Sequence, residues 1–251
     1  WEAFKQTVSQ VQPLRPYVYK DADVDRYRID GVLRQVLISP REIELEQLGN
    51  ALNQWINPHF IYTHGYGMVM AEASKITESG LPSLFIQNAP PEVKTAALKI
   101  TRPEIYYGES THEPVFVGTA QQEFDHPSGS DNVYTSYKGK GGIPVSTLPL
   151  RLAAAAAYGD RNILLTGYLT ENSKMLIHRN VDDRLETLAP FITWDGDPYL
   201  ALTKEGRQVW IVDGYLTSDA HPYSQALRSR QLGTFNYIRN SVKATVDAYD
   251  G

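Results

Sequence analysis

The residues of this chain best suited to acid–base chemistry are a few histidines and carboxylates set close together. His59 and His64 lie five apart, which misses the four-residue spacing that puts two metal ligands on one helix face. His64 stands in a Gly/Pro-punctuated aromatic stretch, where a hydrogen-bonded structural histidine competes with a functional one. Glu123, Asp125 and His126 are near neighbours, and carboxylates beside an imidazole can move protons or hold a metal. The competing role is a turn or cap. His64, Glu123 and Asp125 are therefore the candidate catalytic set. Asp195-Gly196-Asp197 resembles half of a calcium loop but lacks the further oxygen ligands and closing Glu, so a turn before Pro198 fits it better. No metal site and no cofactor is expected.

Tyr134 and Lys138 have the Tyr-x-x-x-Lys spacing of short-chain dehydrogenases. That spacing works on a helix behind a glycine-rich dinucleotide loop; here it runs into Gly139 with no such loop upstream, so it is set aside. Lys138, Gly139, Lys140, Gly141 and Gly142 form the candidate anion site. Glycines let the backbone approach a ligand, lysines bring positive charge, and a helix N-terminus follows. A flexible lysine-bearing loop capped by Ser146 or Thr147 is the alternative.

The elements that must position these residues mix hairpins and helices. Residues 1–24 begin as a helical lead-in and meet Pro13 and Pro16, where a helix stops. Alternation across Arg26–Ile38, broken by Asp30-Gly31, predicts a hairpin. Ile43, Leu45, Leu48, Leu52 and Trp55 predict a helix from Glu42 to Trp55, ending before Pro58. Ile105–Tyr107 and Val115–Val117 read as short strands. The five alanines 153–157 sit in a helix ending near Gly159, and their small side chains predict a buried central helix. A further helix spans 181–189. Tyr199–Leu202 and Val209–Val212 form another hairpin around Glu205-Gly206. Val242–Tyr249 reads as a strand whose partner is expected beyond Gly251, leaving an edge prone to strand-mediated self-association. The expectation is an α+β fold in one continuous domain with a mainly antiparallel sheet, cut off within a hairpin.

Composition narrows the function classes. With 42% hydrophobic and 21% charged residues the chain folds rather than remaining disordered. A net charge of −5 argues against nucleic acid as a partner. The absence of cysteine removes disulfides, thiolate metal sites and cysteine nucleophiles. Sixteen tyrosines suit carbohydrate or peptide binding and a polar-lined core equally well. No apolar run approaches the roughly 18 residues of a membrane-spanning helix. A chain opening on Trp1 rather than Met is expected to be a fragment.

Several strings, in order, resemble the uncharacterised protein family numbered 0182, bacterial integral membrane proteins. They are Asp25-Arg26-Tyr27 with Asp30-Gly31, Tyr62–Gly67, Arg102–Glu109, Glu123-Phe124-Asp125, Thr217-Ser218-Asp219 with Pro222-Tyr223-Ser224, and Asn236–Lys243 running into Asp247–Gly251. His126 and Ala220-His221 depart from the pattern, which leads one to expect an aromatic or Arg-Tyr there. The resemblance implies a multi-pass plasma-membrane protein with this chain in its extracytoplasmic part. Partners are then the rest of its own membrane-spanning chain and an envelope lipid or polysaccharide. It implies no reaction. A binding or interaction role leads, with an envelope hydrolase acting on polysaccharide or lipid as the alternative.

Overall fold

Asp30 and Gly31 take φ of 52° and 81°. Two successive positive φ values make the two-residue turn whose twist matches a right-handed hairpin. Asp23–Ile29 therefore folds back on Val32–Pro40 with Ile29 opposite Val32, as the Asp-Gly pair predicts. The computed structural model describes residues 2–45, 55–229 and 232–251. In it this hairpin begins a five-stranded antiparallel sheet continued by Met68–Ile76, Pro82–Gln87 and Glu92–Val93. Helix α1 (Glu2–Val11) lays Phe4 and Val8 on the outer face, against Val69 and Ala71. The inner face presents Val36, Ile38, Met68 and Met70 to the main core. Because both faces are covered, Met68–Ala71 is apolar at every position rather than at alternate ones.

A second antiparallel sheet centres on Gln208–Ser218, flanked by Thr193–Trp194 and Tyr199–Leu202 on one side and Tyr237–Asp247 on the other. It contributes Leu200, Trp210, Val212 and Val246 to the same core. The Leu202 amide donates to the Tyr27 hydroxyl at 2.7 Å and joins the two sheets. The fold is thus α+β and mostly antiparallel, and the hairpin turning at Glu205-Gly206 forms as expected, with Gly206 at φ 83°.

Three expectations need correction. The Tyr237–Asp247 strand has a ladder partner inside the chain, with Val209 opposite Asp247, where only one beyond Gly251 was expected. Glu42–Ile43 is a strand paired with Tyr17–Val18, not the start of a helix; residues 46–54 of that stretch lie outside the described ones. The periodic pattern yields there to burial of Glu42, whose Oε2 accepts from the Ser110 amide at 2.8 Å. The alanine-rich helix α2 (Leu148–Tyr158) has the foreseen ends, with Thr147 at its N-cap and Gly159 closing it at φ 64°, but Ala155 is its one buried residue. It lies on the outside of a satellite core of Phe60, Phe116, Ile163 and Met175, beside α3 (Asn162–Leu165). Helix α4 (Val181–Leu188) starts as expected, with the Asn180 side chain accepting from the Asp183 amide. No helix among the described residues is long and apolar enough to cross a membrane.

Candidate functional site

His64 reaches the interior because the chain beside it passes very close to another segment. A Cβ on Gly65 would collide with the Arg41 carbonyl, so only glycine permits Gly65–Tyr66 to run where it pairs with Glu104–Ile105. That pairing places Tyr106 beside His64, ring centroids 4.8 Å apart. Glu123 and Asp125 come from the strand Glu123–Ser128. Its register against Asp131–Thr135 shifts between Phe124 and His126, and this bulge lets all of residues 123–126 be buried.

The three sequence candidates do converge, but in the core. Glu123 Oε2 accepts from Thr63 Oγ1 at 2.6 Å and from the Tyr106 hydroxyl at 2.7 Å, and its Oε1 accepts from the Tyr137 amide at 2.8 Å. Asp125 Oδ2 pairs with His126 Nδ1 at 2.8 Å, and the Tyr17 hydroxyl donates to the Asp125 carbonyl. His64 Nδ1 faces the Gly65 carbonyl at 2.9 Å, which can only accept, so Nδ1 carries the proton. Nε2 then presents a lone pair to Asp125 Oδ1, 4.0 Å away; neither of those two atoms has a hydrogen-bond partner. The separation exceeds a hydrogen bond. Burial pushes His64 down to about 4, so at neutral pH this contact is not an ion pair. Burial also raises Asp125 and Glu123, against the hydrogen bonds that favour their anions.

The positive charge of this centre comes from Arg179, which the motif search passed over. Its Nε donates to the Tyr106 carbonyl at 2.8 Å, Nη1 to the Glu113 carbonyl at 2.8 Å, and Nη2 to the Thr63 carbonyl. Burial lowers it to about 10, leaving it charged, and Glu123 and Glu42 partly offset that effect. The His126 ring lies tilted against Tyr66, centroids 4.9 Å apart, so it fills an aromatic's place. His59 is held apart, its Nδ1 2.6 Å from the Pro114 carbonyl, between Trp55 and Phe116.

His64 and Glu123 are 0% and 1% exposed. Four surface clefts of 470 to 580 Å³ are lined by other residues than His64, Glu123 and Asp125. The cleft of 580 Å³ touches Arg179 only, beside Lys20, Tyr62, Glu109 and His112. Groups of the right type for proton transfer are therefore assembled, hydrogen-bonded and closed off from a polymer or lipid.

The glycine loop does bind an anion, and the anion is the chain's own. Asp250 Oδ1 accepts from the Lys140 amide at 2.8 Å and from the Tyr137 hydroxyl at 2.9 Å, while the Lys138 amide donates to the Tyr249 hydroxyl. A Cβ on Gly139 would strike the Asp250 carboxylate. The loop then enters the short strand Ile143–Pro144, paired with Lys174–Leu176, rather than leading straight into α2. At the candidate anion site of Lys138, Gly139, Lys140, Gly141 and Gly142, the backbone is thus occupied by Asp250.

A second carboxylate group escaped sequence reasoning. Asp197 meets Asp21 and Asp23, one oxygen from each lying within 4.8 Å of the others. By donor chemistry such a trio suits a hard divalent cation. Burial, with Asp21 and Asp197 adding repulsion, pushes Asp23 up to about 7. The sequence signal was the paired Asp-x-Asp at 21–23 and 195–197, visible only if two distant turns are considered together.

Fold and site together define an α+β domain whose charged centre is closed against solvent. The chain belongs to the Uncharacterised protein family (UPF0182), whose model matches residues 1–251. It is 62% identical over 250 residues to a UPF0182 protein of Solibacter usitatus, covering 99% of this chain and 28% of that relative. It is 44% identical over 261 residues to one of Trichodesmium erythraeum (98% and 28%). It is 42% identical over 254 residues to one of Methanospirillum hungatei (100% and 28%). The chain thus spans 28% of the length of these relatives. No solved structure matches it.

Proposed function

We propose that this chain is a non-enzymatic binding or interaction domain of a larger multi-pass membrane protein, held on the extracytoplasmic side of the plasma membrane. The observation that carries the non-enzymatic part is the closure of His64, Glu123 and Asp125. The nearest thing to an acid–base set in the chain is tied to Thr63, Tyr106, Tyr137 and His126 and lines none of those four clefts. The membrane setting rests on the family resemblance of the motifs, and the spans belong to sequence outside these residues. The alternative, an envelope hydrolase acting on polysaccharide or lipid, draws on one fact: His64 Nε2 and Asp125 Oδ1 face each other without partners.

Two measurements on the full-length protein test the reading. A protease site placed in the exposed Thr77–Leu81 turn is cleaved by an impermeant protease added to intact cells; protection there overturns the extracytoplasmic placement. Purified protein incubated with envelope polysaccharide or phospholipid shows no turnover that depends on the buried set. Turnover abolished by both Glu123→Gln and His64→Gln in folded protein overturns the non-enzymatic reading.

A further inference from the structure

Helix α2 carries an apolar surface that nothing among the described residues covers. At ~100° per residue, positions 148, 152, 156, 149, 153, 157 and 150 follow one another around about 200° of the helix. They are Leu148, Leu152, Ala156, Pro149, Ala153, Ala157 and Leu150, all exposed and none charged or hydrogen-bonding. Leu148 is 66% exposed and Leu152 50%. The helix's one charged residue, Arg151, is turned inward, with Nε on the Val145 carbonyl and Nη2 on the Leu169 carbonyl. Leu165 of the neighbouring α3 is also 75% exposed. An amphipathic helix turns its apolar stripe toward a core, and monomers rarely leave so continuous an apolar face in water.

We infer that this face of α2 is the docking site for an apolar helix from the part of the same polypeptide that lies outside these residues. Three observations choose that occupant. Relatives 42–62% identical to this chain carry most of their length, all but 28%, outside the matched region, so covalently linked sequence to cover the face exists in the family. Ala153, Ala156 and Ala157 form a shallow channel between Leu148 and Leu152 on one side and Leu150 on the other. That shape admits another helix at close range, with leucines gripping its flanks. A helix resting on a lipid surface instead carries lysines or arginines along its polar border, reaching for headgroups, whereas the one arginine of α2, Arg151, is held inward on the Val145 and Leu169 carbonyls. The inference shares with the proposed function only the premise of a longer polypeptide; it requires neither an envelope ligand nor the absence of catalysis.

The test uses the full-length protein with a photo-crosslinking amino acid, p-benzoylphenylalanine, at Leu152, and the same group at the exposed Ser79 as control. Illumination is expected to give a crosslink within one chain, which peptide mapping assigns to an apolar segment outside residues 1–251; Ser79 gives none. A dimer-sized product, a lipid adduct, a crosslink to another protein, or no product from Leu152 each overturns the inference. A second readout needs no bulky group. The 251 residues contain no cysteine, so Ala157→Cys and Ser79→Cys each add one defined thiol here. Maleimide should label Ala157→Cys at least about tenfold more slowly than Ser79→Cys in the native full-length protein, and equally fast after denaturation. Equal rates in the native protein overturn the docking site. Correct placement in the intact-cell protease assay together with equal labelling rates sinks the docked helix alone.

Discussion

The surroundings of Glu123 and the surface of α2 invert the usual arrangement of a globular protein. Around Glu123 a guanidinium, two carboxylates and an imidazole sit in the interior; on α2 seven apolar side chains face water. The two regions differ in completeness. The carbonyls that receive Arg179 and the donors to Glu123 come from within residues 63–179, so these two charges are met by this chain. The face of α2 has no counterpart among the described residues. One region's specificity is internal, and the other's points outward.

Substitutions at the centre should therefore be expensive and those on α2 nearly silent. Arg179→Met removes the guanidinium from three buried carbonyls and from the field of Glu123 and Glu42. A loss of roughly 3–5 kcal/mol in denaturant unfolding is expected, as for breaking a buried charge network. A loss below about 1 kcal/mol would mean that the centre is wet and forgiving.

His64 makes the next largest effect, and it depends on pH. Its proton affinity is lowered in the folded state, from 6.5 to about 4, so the unfolded chain binds the proton more readily. Stability from this group is complete above pH 6.5 and falls as the pH drops toward 4, by about 3 kcal/mol in total. Unfolding curves of wild type and His64→Gln measured across that window should differ in slope. Parallel curves would remove His64 from the buried centre.

Glu123→Gln tests the same centre without a charge gain. With the amide oxygen kept on the Tyr137 N–H, the new NH₂ meets the Thr63 and Tyr106 hydroxyls, which must turn from donors into acceptors. The expected cost is about 2 kcal/mol. A neutral result would show that both hydroxyls turn freely.

The Asp21/Asp23/Asp197 turn should behave oppositely. Asp23 is raised from 3.8 to about 7 in the folded state, so its penalty is absent below pH 4 and grows until the carboxyl ionises near pH 7. Asp23→Asn is expected to stabilise by about 1 kcal/mol at pH 8, after allowance for solvent screening, and not at pH 4. Stabilisation of equal size at both values would point to a packing effect instead. The smallest change belongs to α2: Leu152→Lys or Ala156→Glu should shift the stability of this chain by no more than about 0.5 kcal/mol. A larger loss would show that the face is packed within residues 1–251 after all.

Local chemistry made part of this legible in the sequence. Asp30-Gly31 announces its hairpin because two positive φ values are demanded by the turn itself, and Gly159 announces the end of α2 for the same reason. Residue type singled out His64, Glu123 and Asp125, and the fold brings them into one region. What sealed them was not legible, because the contacts that gather Thr63, Tyr106, Tyr137 and Arg179 span from 14 to 116 residues of chain, with Arg179 reaching back to Tyr106 and Thr63. The glycine loop shows the same limit: its spacing does indicate an anion, but nothing near residue 140 reveals that the anion is Asp250, 110 residues later. Burial of the alanine-rich helix was inferred from side-chain size, which reports how closely something can pack and not whether it is present.

The Asp250 contact also sets a schedule. Tyr137 and Lys140 wait for a carboxylate that lies 113 and 110 residues further along, and the Tyr106 and Tyr107 amides wait for the carbonyl of Ala248. At roughly 5–20 residues per second of synthesis, the glycine loop leaves the ribosome about 6–20 s before its anion exists. During that interval its amides face water, and the aromatic wall of Tyr106, Tyr137 and Tyr249 lacks its last ring. Closure of the interior is thus a late event in the life of each new chain, triggered by residues 247–250 and not by the hairpins that precede them.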